Sequence, residues 1–258
     1  MDVESIRSGI RGLIGKELLF FDAVGSTNTV ALSLTEDAEE GTVVLADYQE
    51  KGRGRFDRPW VSPSGVNIYM SVLLRPSIEP DEGHFLTLFS AVACAHALRE
   101  TTGLPVAIKW PNDLMVANRK LGGILTEVRI NHRDIVLAVI GIGVNINMEI
   151  ADLPEPLRRT ATSVIHETGQ HAKREPVIAG ILNHLDYWYG YLKRRAGLAI
   201  IDEWKRLTST LGRTVIVTRG SETYTGLAEE MDEKGGLIVR LPTGERRRLI
   251  SGDLSLAE

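Results

Sequence analysis

Apolar positions along this chain change their period several times, and each change marks an element. Apolar residues at 3, 6, 10, 13 and 14 follow a helical spacing, weakened by Gly9 and Gly12, and predict a helix over 3–14. A short apolar run at 17–21 has strand length and ends at the turn signal Gly25, after which Ser26 is a good N-cap for a second helix. Segments 42–48 and 67–74, rich in Val, Ile, Leu and Tyr, predict strands. Between them, 49–64 is polar, without a period, and predicts a loop. Helical spacing returns over 81–101 and stops before Gly103 and Pro105. Four strand-like pieces follow at 106–110, 114–116, 123–130 and 134–145, with Gly and Asn at their ends, which predicts an antiparallel meander rather than βαβ units. Helices are predicted over 176–192 and 198–207. Beyond Leu211 come four short strands, 213–218, 222–230, 237–241 and 246–250, separated by Arg-Gly, Lys-Gly-Gly and Pro-Thr-Gly turns; this spacing predicts a small β-barrel, with a boundary near 208–212.

Composition narrows the function classes. The chain has 258 residues, 43% hydrophobic and 25% charged, with 30 Lys+Arg against 34 Asp+Glu and a net charge of −4. These are values of an ordinary globular chain with ample material for a core. A sequence pI near 5.9 argues against coating nucleic acid, which favours a basic footprint. Cys94 is the single cysteine, so an intrachain disulfide and a Cys-rich zinc site are excluded and a reducing compartment is expected. The N-terminus shows no signal-peptide pattern and no apolar run is long enough to span a bilayer, so a cytoplasmic, membrane-free protein is expected.

Several familiar signatures fail. Ile10 stands where a P-loop ahead of Gly15-Lys16 needs its first glycine. Gly52-x-Gly54 and Gly141-x-Gly143 lack the third glycine of a dinucleotide fingerprint. His166 and His171 are five apart, not the four that puts two imidazoles on one helical face. No G-x-S-x-G elbow exists, and Cys94 lies in an apolar helix where packing is its expected role.

Four segments carry candidate chemistry. In 49–60 glycines alternate with arginines: Gly52, Arg53, Gly54, Arg55, then Arg58 and Trp60. Glycine allows the backbone to turn N–H groups toward an anion, and arginine offers a planar fork to phosphate or carboxylate oxygens. Alone, the same loop suits a basic surface, and Trp60 suits a core anchor as well as a stacking plate. Lys109-Trp110-Pro111-Asn112-Asp113 sets a lysine, an amide and a carboxylate at a strand end. Lys120 then precedes Gly122 and Gly123, where nothing blocks a close ligand. Gly141-x-Gly143-x-Asn145 closes the fourth strand of the meander.

Taken together, Ser26-Thr27-Asn28, Gln49 through Trp60, Lys109 to Asp113, Lys120 to Leu125 and Gly141 to Asn145 resemble the biotin–protein ligase family in content and order. The resemblance covers roughly 15–200, and the C-terminal module is similar to that family's SH3-like domain. It implies an α+β fold: a synthetase-like catalytic domain over 1–209 with a mixed, largely antiparallel sheet and flanking helices, and a small β-barrel over 210–258. It implies that biotin and ATP, with Mg²⁺ carried on the ATP phosphates rather than by a protein metal site, form biotinyl-5′-AMP, and that a lysine of a carboxylase's biotin-carrier domain then takes the biotin. By motif position, Ser26, Thr27, Asn28 and Gln49 face the biotin head, and Arg53 and Arg55, with Gly52, Gly54 and Arg58 around them, hold carboxylate and phosphates. Trp60 and Asn112 serve the adenine, Gly123 and Asn145 line the pocket, Lys120 is the main catalytic lysine, and Asp113 helps the incoming amine. Only 25 residues precede Ser26, too few for the DNA-binding domain of some relatives, so no repressor role is expected. Homodimerisation, common in the family, is not legible in these residues.

Two rivals are set against this expectation. A lipoate ligase or octanoyltransferase shares the fold, but its substrate has no urea for the polar cluster at 26–28 and 49. A nucleic-acid-binding module rests on the arginine loop and on Arg246-Arg247-Arg248, although most such runs are solvated faces.

Overall fold

The computed structural model describes residues 1–34, 38–219 and 222–256. Its larger sheet contains β1 (Leu18–Val24), β2 (Val43–Gln49), β3 (Ile68–Leu74), β4 (Ala107–Lys109), β5 (Asp113–Val116), β6 (Arg119–Asn131) and β7 (Asp134–Val144) in the order β1-β2-β3-β7-β6-β5-β4. Only β1 and β2 run parallel. The remaining pairs are antiparallel, and β4 through β7 form the expected meander. All seven residues of β3 are buried, as an apolar strand covered on both faces requires.

The helices are α1 (Val3–Gly9), α2 (Thr27–Ser33), α3 (His84–Thr102), α4 (Glu155–Arg158), α5 (Val164–Thr168), α6 (Arg174–Lys193) and α7 (Gly197–Leu207). Apolar residues surround α3 on all sides, so it is a central helix rather than a surface one: α6 and α7 cover the face it turns away from the sheet. Phe89 on α3 is fully buried, and its truncation to Ala would cost about 3–5 kcal/mol. Gly103, with φ +73°, ends α3 in a left-handed cap whose N–H donates to Arg99 O. On the other sheet face α2 makes a small core of Ala31, Val44 and Val139. Cys94 is fully buried and desolvation pushes its thiol pKa up, in keeping with packing.

The predicted helix over 3–14 stops at Gly9. Beyond it, the Asp186 carboxylate accepts from Leu13 N and Ile14 N at 2.9 and 3.1 Å, so a tertiary contact holds the chain in a non-helical path. Gly12 leaves room for that carboxylate, which would lie 2.3 Å from an added Cβ. The short α4 and α5 have no sequence counterpart, because four or five residues are too few to show a period.

The C-terminal part is a five-stranded antiparallel sheet of β8 (Thr214–Arg219), β9 (Glu222–Met231), β10 (Leu237–Arg240), β11 (Arg246–Leu249) and β12 (Asp253–Leu256), ordered β11-β10-β9-β8-β12. Four of these strands match the sequence expectation; β12 is additional and pairs with β8. The Arg-Gly turn expected at 219–220 reaches outside the described residues. The segment joining the two sheets is pinned to β4: Ser209 N donates to Ile108 O and Trp110 N to Thr210 Oγ1, both at 2.9 Å. That attachment brings β12 to the mouth of the larger sheet.

Candidate active site

A cavity of about 750 Å³ opens between the ends of β6 and β7, the N-terminus of α2, the 50–60 loop and β12. Every candidate named from the sequence lines it except Gly52 and Gly122, the latter lying against the backbone of β7, where an added Cβ would meet Gly143 O at 2.7 Å.

One end is polar and neutral. Ser26, Thr27 and Asn28 are each at most 5% exposed where the chain enters α2, and Ser26 makes no side-chain cap bond there. Gln49 Oε1 accepts from Thr27 N at 2.9 Å and lies 3.2 Å from Thr27 Oγ1, while its Nε2 donates to Ser62 Oγ at 3.0 Å. Ser71, a polar residue inside the buried β3, has its hydroxyl 2.8 Å from Thr27 Oγ1 and 2.6 Å from Asn28 Oδ1. A buried hydroxyl among apolar neighbours must find a partner, and this one orients two candidate groups. Gly141 makes the arrangement possible, since an added Cβ would lie 2.2 Å from Asn28 Oδ1.

The other end is cationic. Asp113, the first residue of β5, lies between two ammonium groups, with Lys109 Nζ at 3.0 Å and Lys120 Nζ at 2.5 Å. Burial pushes the Asp113 pKa up, but the two lysines together outweigh it and hold the carboxyl below its usual value. Lys120 Nζ also stands 5.5 Å from the centre of the Trp60 ring. Trp60 is packed against backbone: an added Cβ at Gly143 would meet the ring at 2.7 Å and one at Gly123 at 3.6 Å. The indole Nε1 of Trp60 is buried against Gly143 without a hydrogen-bond partner among the described residues.

The arginine loop is tied at both ends. Gly54 N donates to Arg58 O and Trp60 N to Gly52 O, which makes 52–60 a closed hairpin. Arg55 Nη1 donates to Asn112 Oδ1 at 3.2 Å and to Gly252 O at 3.1 Å, so it bridges the larger sheet and the C-terminal module. Desolvation lowers the Arg55 pKa, opposed by Asp113 and Asp253. Arg58 forms an ion pair with Asp253, and the bond to that carboxylate raises its pKa. Arg53 is bound by Glu127.

Two expectations about this loop are corrected. The unusual backbone lies at Phe56 (φ 56°, ψ 36°) and Asp57 (φ 54°), not at the glycines. Gly52 serves a different need: an added Cβ would lie 2.5 Å from Trp60 O and 2.6 Å from Ser62 Oγ, so Gly52 lets the loop close on itself behind the cavity. Asn112 and Asn145 mainly brace the walls, donating through Nδ2 to Ile124 O at 2.8 Å and Thr162 O at 2.9 Å. Ser62, Ser71, Glu127 and Asp253 were missed by sequence reasoning. Ser71 alone carried a local signal, as the one small polar residue in a strand of large apolar and aromatic ones.

Arg246, Arg247 and Arg248 are all engaged by carboxylates: Arg246 by Glu229 and Glu230, Arg247 by Glu222 and Glu245, Arg248 by Asp232. Among the described residues no group of three or more His, Cys, Asp or Glu could hold a metal ion, and no helix is long and apolar enough to cross a membrane.

Comparison with known proteins agrees with this architecture. Residues 20–145 match the family described as "Biotin/lipoate A/B protein ligase family", and residues 210–256 match "Biotin protein ligase C terminal domain". The bifunctional ligase/repressor BirA of Bacillus subtilis is 33% identical over 253 residues, covering 97% of this chain and 78% of that protein. The biotin–[acetyl-CoA-carboxylase] ligase of Paracoccus denitrificans is 32% identical over 224 residues, covering 86% of this chain and 93% of that one. Among solved structures, the biotin protein ligase from Aquifex aeolicus in complex with biotin and ATP matches with a TM-score of 0.81 at 29% identity, covering 94% of this chain and 99% of that one. With identity at this level across nearly its whole length, the chain belongs to the biotin–protein ligase family.

Proposed function

We infer that this protein is an ATP-dependent biotin–protein ligase that joins biotin to AMP and passes the biotin to a lysine of a carboxylase's biotin-carrier domain. The observation that carries the reading is the joining, in one cavity, of a neutral amide-and-hydroxyl end to an end bearing Lys109, Lys120 and Arg55. A urea ring needs hydrogen-bond donors and acceptors without net charge, which Ser26, Thr27, Asn28 and Gln49 offer. A carboxylate and a triphosphate repel each other, and fixed cations between them supply both approach and transition-state stabilisation.

In the first step a biotin carboxylate oxygen attacks the α-phosphorus of ATP, the bond to the β-phosphate bridging oxygen breaks, and pyrophosphate leaves. Lys120 and Arg55 are the groups we assign to the charge that develops there, with Trp60 and Asn112 on the adenine side. In the second step the acceptor amine attacks the acyl carbon, AMP leaves, and the amine loses a proton. Asp113, whose oxygens face Lys109 and Lys120, is the group we assign to helping the incoming neutral amine, as an acceptor for its N–H. Mg²⁺ would ride on the ATP phosphates and relieve their charge. Residues 1–209 would carry the chemistry, with 210–258 contributing Gly252 and Asp253 to the loop.

Pyrophosphate exchange into ATP, run with biotin, lipoate and octanoate in parallel, tests the reading. Exchange with biotin alone is the expected result. Exchange with lipoate or octanoate and none with biotin would move the chain to the other branch of its matched family.

A further inference from the structure

Glu127 stands outside every motif on which the family resemblance rests. It lies on β6 two residues beyond Leu125, so the alternation of a strand puts it on the same side as Gly123 and Leu125, both of which line the cavity. Its carboxylate engages two groups at once. Oε2 accepts from Asn28 Nδ2 at 2.7 Å, and Arg53 Nη2 lies 3.2 and 3.3 Å from the two oxygens. Asn28 belongs to the neutral end of the cavity and Arg53 to the loop that borders it.

The chemistry of the carboxylate gives these contacts a direction. An ionised carboxylate only accepts, so it fixes which way round the Asn28 amide sits. The amide nitrogen must face Glu127, and also reaches Leu125 O at the longer distance of 3.3 Å, and the amide oxygen must face Ser71, 2.6 Å away. The same charge engages Arg53, whereas Arg55 donates to two neutral acceptors, Asn112 Oδ1 and Gly252 O.

We propose that Glu127 is a positioning residue whose single carboxylate sets the Asn28 amide for the ring of the acid substrate and holds the arginine loop in place through Arg53. Ring recognition and loop closure are thereby coupled. The proposal rests on the biotin-ligase reading above.

Glu127→Gln, Glu127→Ala, Arg53→Ala and the Arg53→Ala/Glu127→Ala pair test it in the full chain, by biotin KM and kcat in pyrophosphate exchange and by adenylate released into solution. Glu127→Gln keeps an acceptor for Asn28 and removes the charge, so the biotin KM should stay within about twofold while released adenylate rises about threefold. Glu127→Ala removes both, so the biotin KM should rise about tenfold with little change in kcat. Arg53→Ala added to Glu127→Ala should release no more adenylate than Glu127→Ala alone. An unchanged biotin KM in Glu127→Ala, or additive adenylate release in the pair, overturns the proposal. Glu127→Gln is isosteric and carries the test if the alanine variant folds poorly. A wild-type protein that shows no exchange with biotin overturns the functional reading and this role with it, whereas an active wild type with unaltered variants overturns this role alone.

Discussion

Lys120 Nζ lies 2.5 Å from Asp113 Oδ1, and Lys109 approaches the other oxygen of the same carboxylate at 3.0 Å. Two ammonium groups and one carboxylate leave a net positive charge at the strand ends, held rigidly because β5 and β6 are hydrogen-bonded neighbours. A fixed charge of this kind needs no reorganisation when negative charge develops beside it, which is the condition under which electrostatic catalysis is strongest. The side chain of Lys120 is about one-third exposed, so an anionic ligand can reach the ammonium where it stands.

From that placement, Lys120→Ala should lower biotin-dependent pyrophosphate exchange by about 100-fold or more. Thermal stability should change by no more than about 1 kcal/mol, since the lost pair is partly solvated and Lys109 still neutralises Asp113. Exchange kinetics and a melting curve on one preparation check both halves. Near-normal exchange would remove Lys120 from the catalytic role.

Asp113 makes a pH-dependent prediction. Its folded pKa lies below the usual carboxylate value of 3.8, so it stabilises the fold fully above that pH and loses its contribution only as pH falls further toward the folded value. Asp113→Asn leaves two lysines facing one another without a counter-charge and should destabilise by about 3 kcal/mol at neutral pH. Urea unfolding of both proteins should show a constant difference from pH 7 to pH 5 and a shrinking one below pH 3.8. A difference that stayed flat through the acid range would mean that the carboxylate is not the stabilising species.

Arg55 joins Asn112 to the carbonyl of Gly252, so its guanidinium ties the loop to the C-terminal module. An acyl-adenylate reacts readily with water and with stray amines, and a loop held over it delays escape. Arg55→Gly should therefore release adenylate and label unrelated lysines several-fold more than the wild type. Arg55→Lys should not restore retention, because a single ammonium lacks the fork that reaches two acceptors. Labelling of a bystander protein, read by streptavidin blot, checks this; wild-type levels in Arg55→Gly would rule out the loop as a cover.

How much of this was legible in the sequence depends on the distance over which each feature is encoded. Helix α6 could be read because Val177, Ile178, Ile181, Leu182, Leu185, Trp188, Tyr189 and Leu192 repeat along one face of a single element. Lys109, Asp113 and Lys120 could be grouped because neighbouring strands carry them. Asp253 could not be assigned to Arg58, nor Glu127 to Asn28, because the partners are separated by 195 and 99 residues and meet only when the fold closes. Strand β12 was passed over, although Leu254 and Leu256 alternate with polar residues, because a four-residue strand at a chain end gives little pattern to read. The loop was placed correctly but its backbone was not, since a Gly-Arg repeat does not reveal which residue turns and which one packs.

That last distinction yields a direct comparison between two glycines of the same motif. At Gly52 a methyl group would sit 2.5 Å from Trp60 O and 2.6 Å from Ser62 Oγ, and a backbone oxygen cannot move aside without breaking the Gly52–Trp60 closure. At Gly54 the nearest atom, Arg58 O, would be 3.5 Å away, an ordinary contact. Neither glycine has the positive φ that would penalise every side chain. Gly52→Ala should therefore displace Trp60 and the loop, costing about 1–3 kcal/mol and raising the KM for ATP. Gly54→Ala should leave stability within about 0.5 kcal/mol of the wild type. Equal losses at both positions would show that the motif needs glycine for backbone freedom. A loss confined to Gly52 would show that it needs glycine for space, and that the turning is left to Phe56 and Asp57.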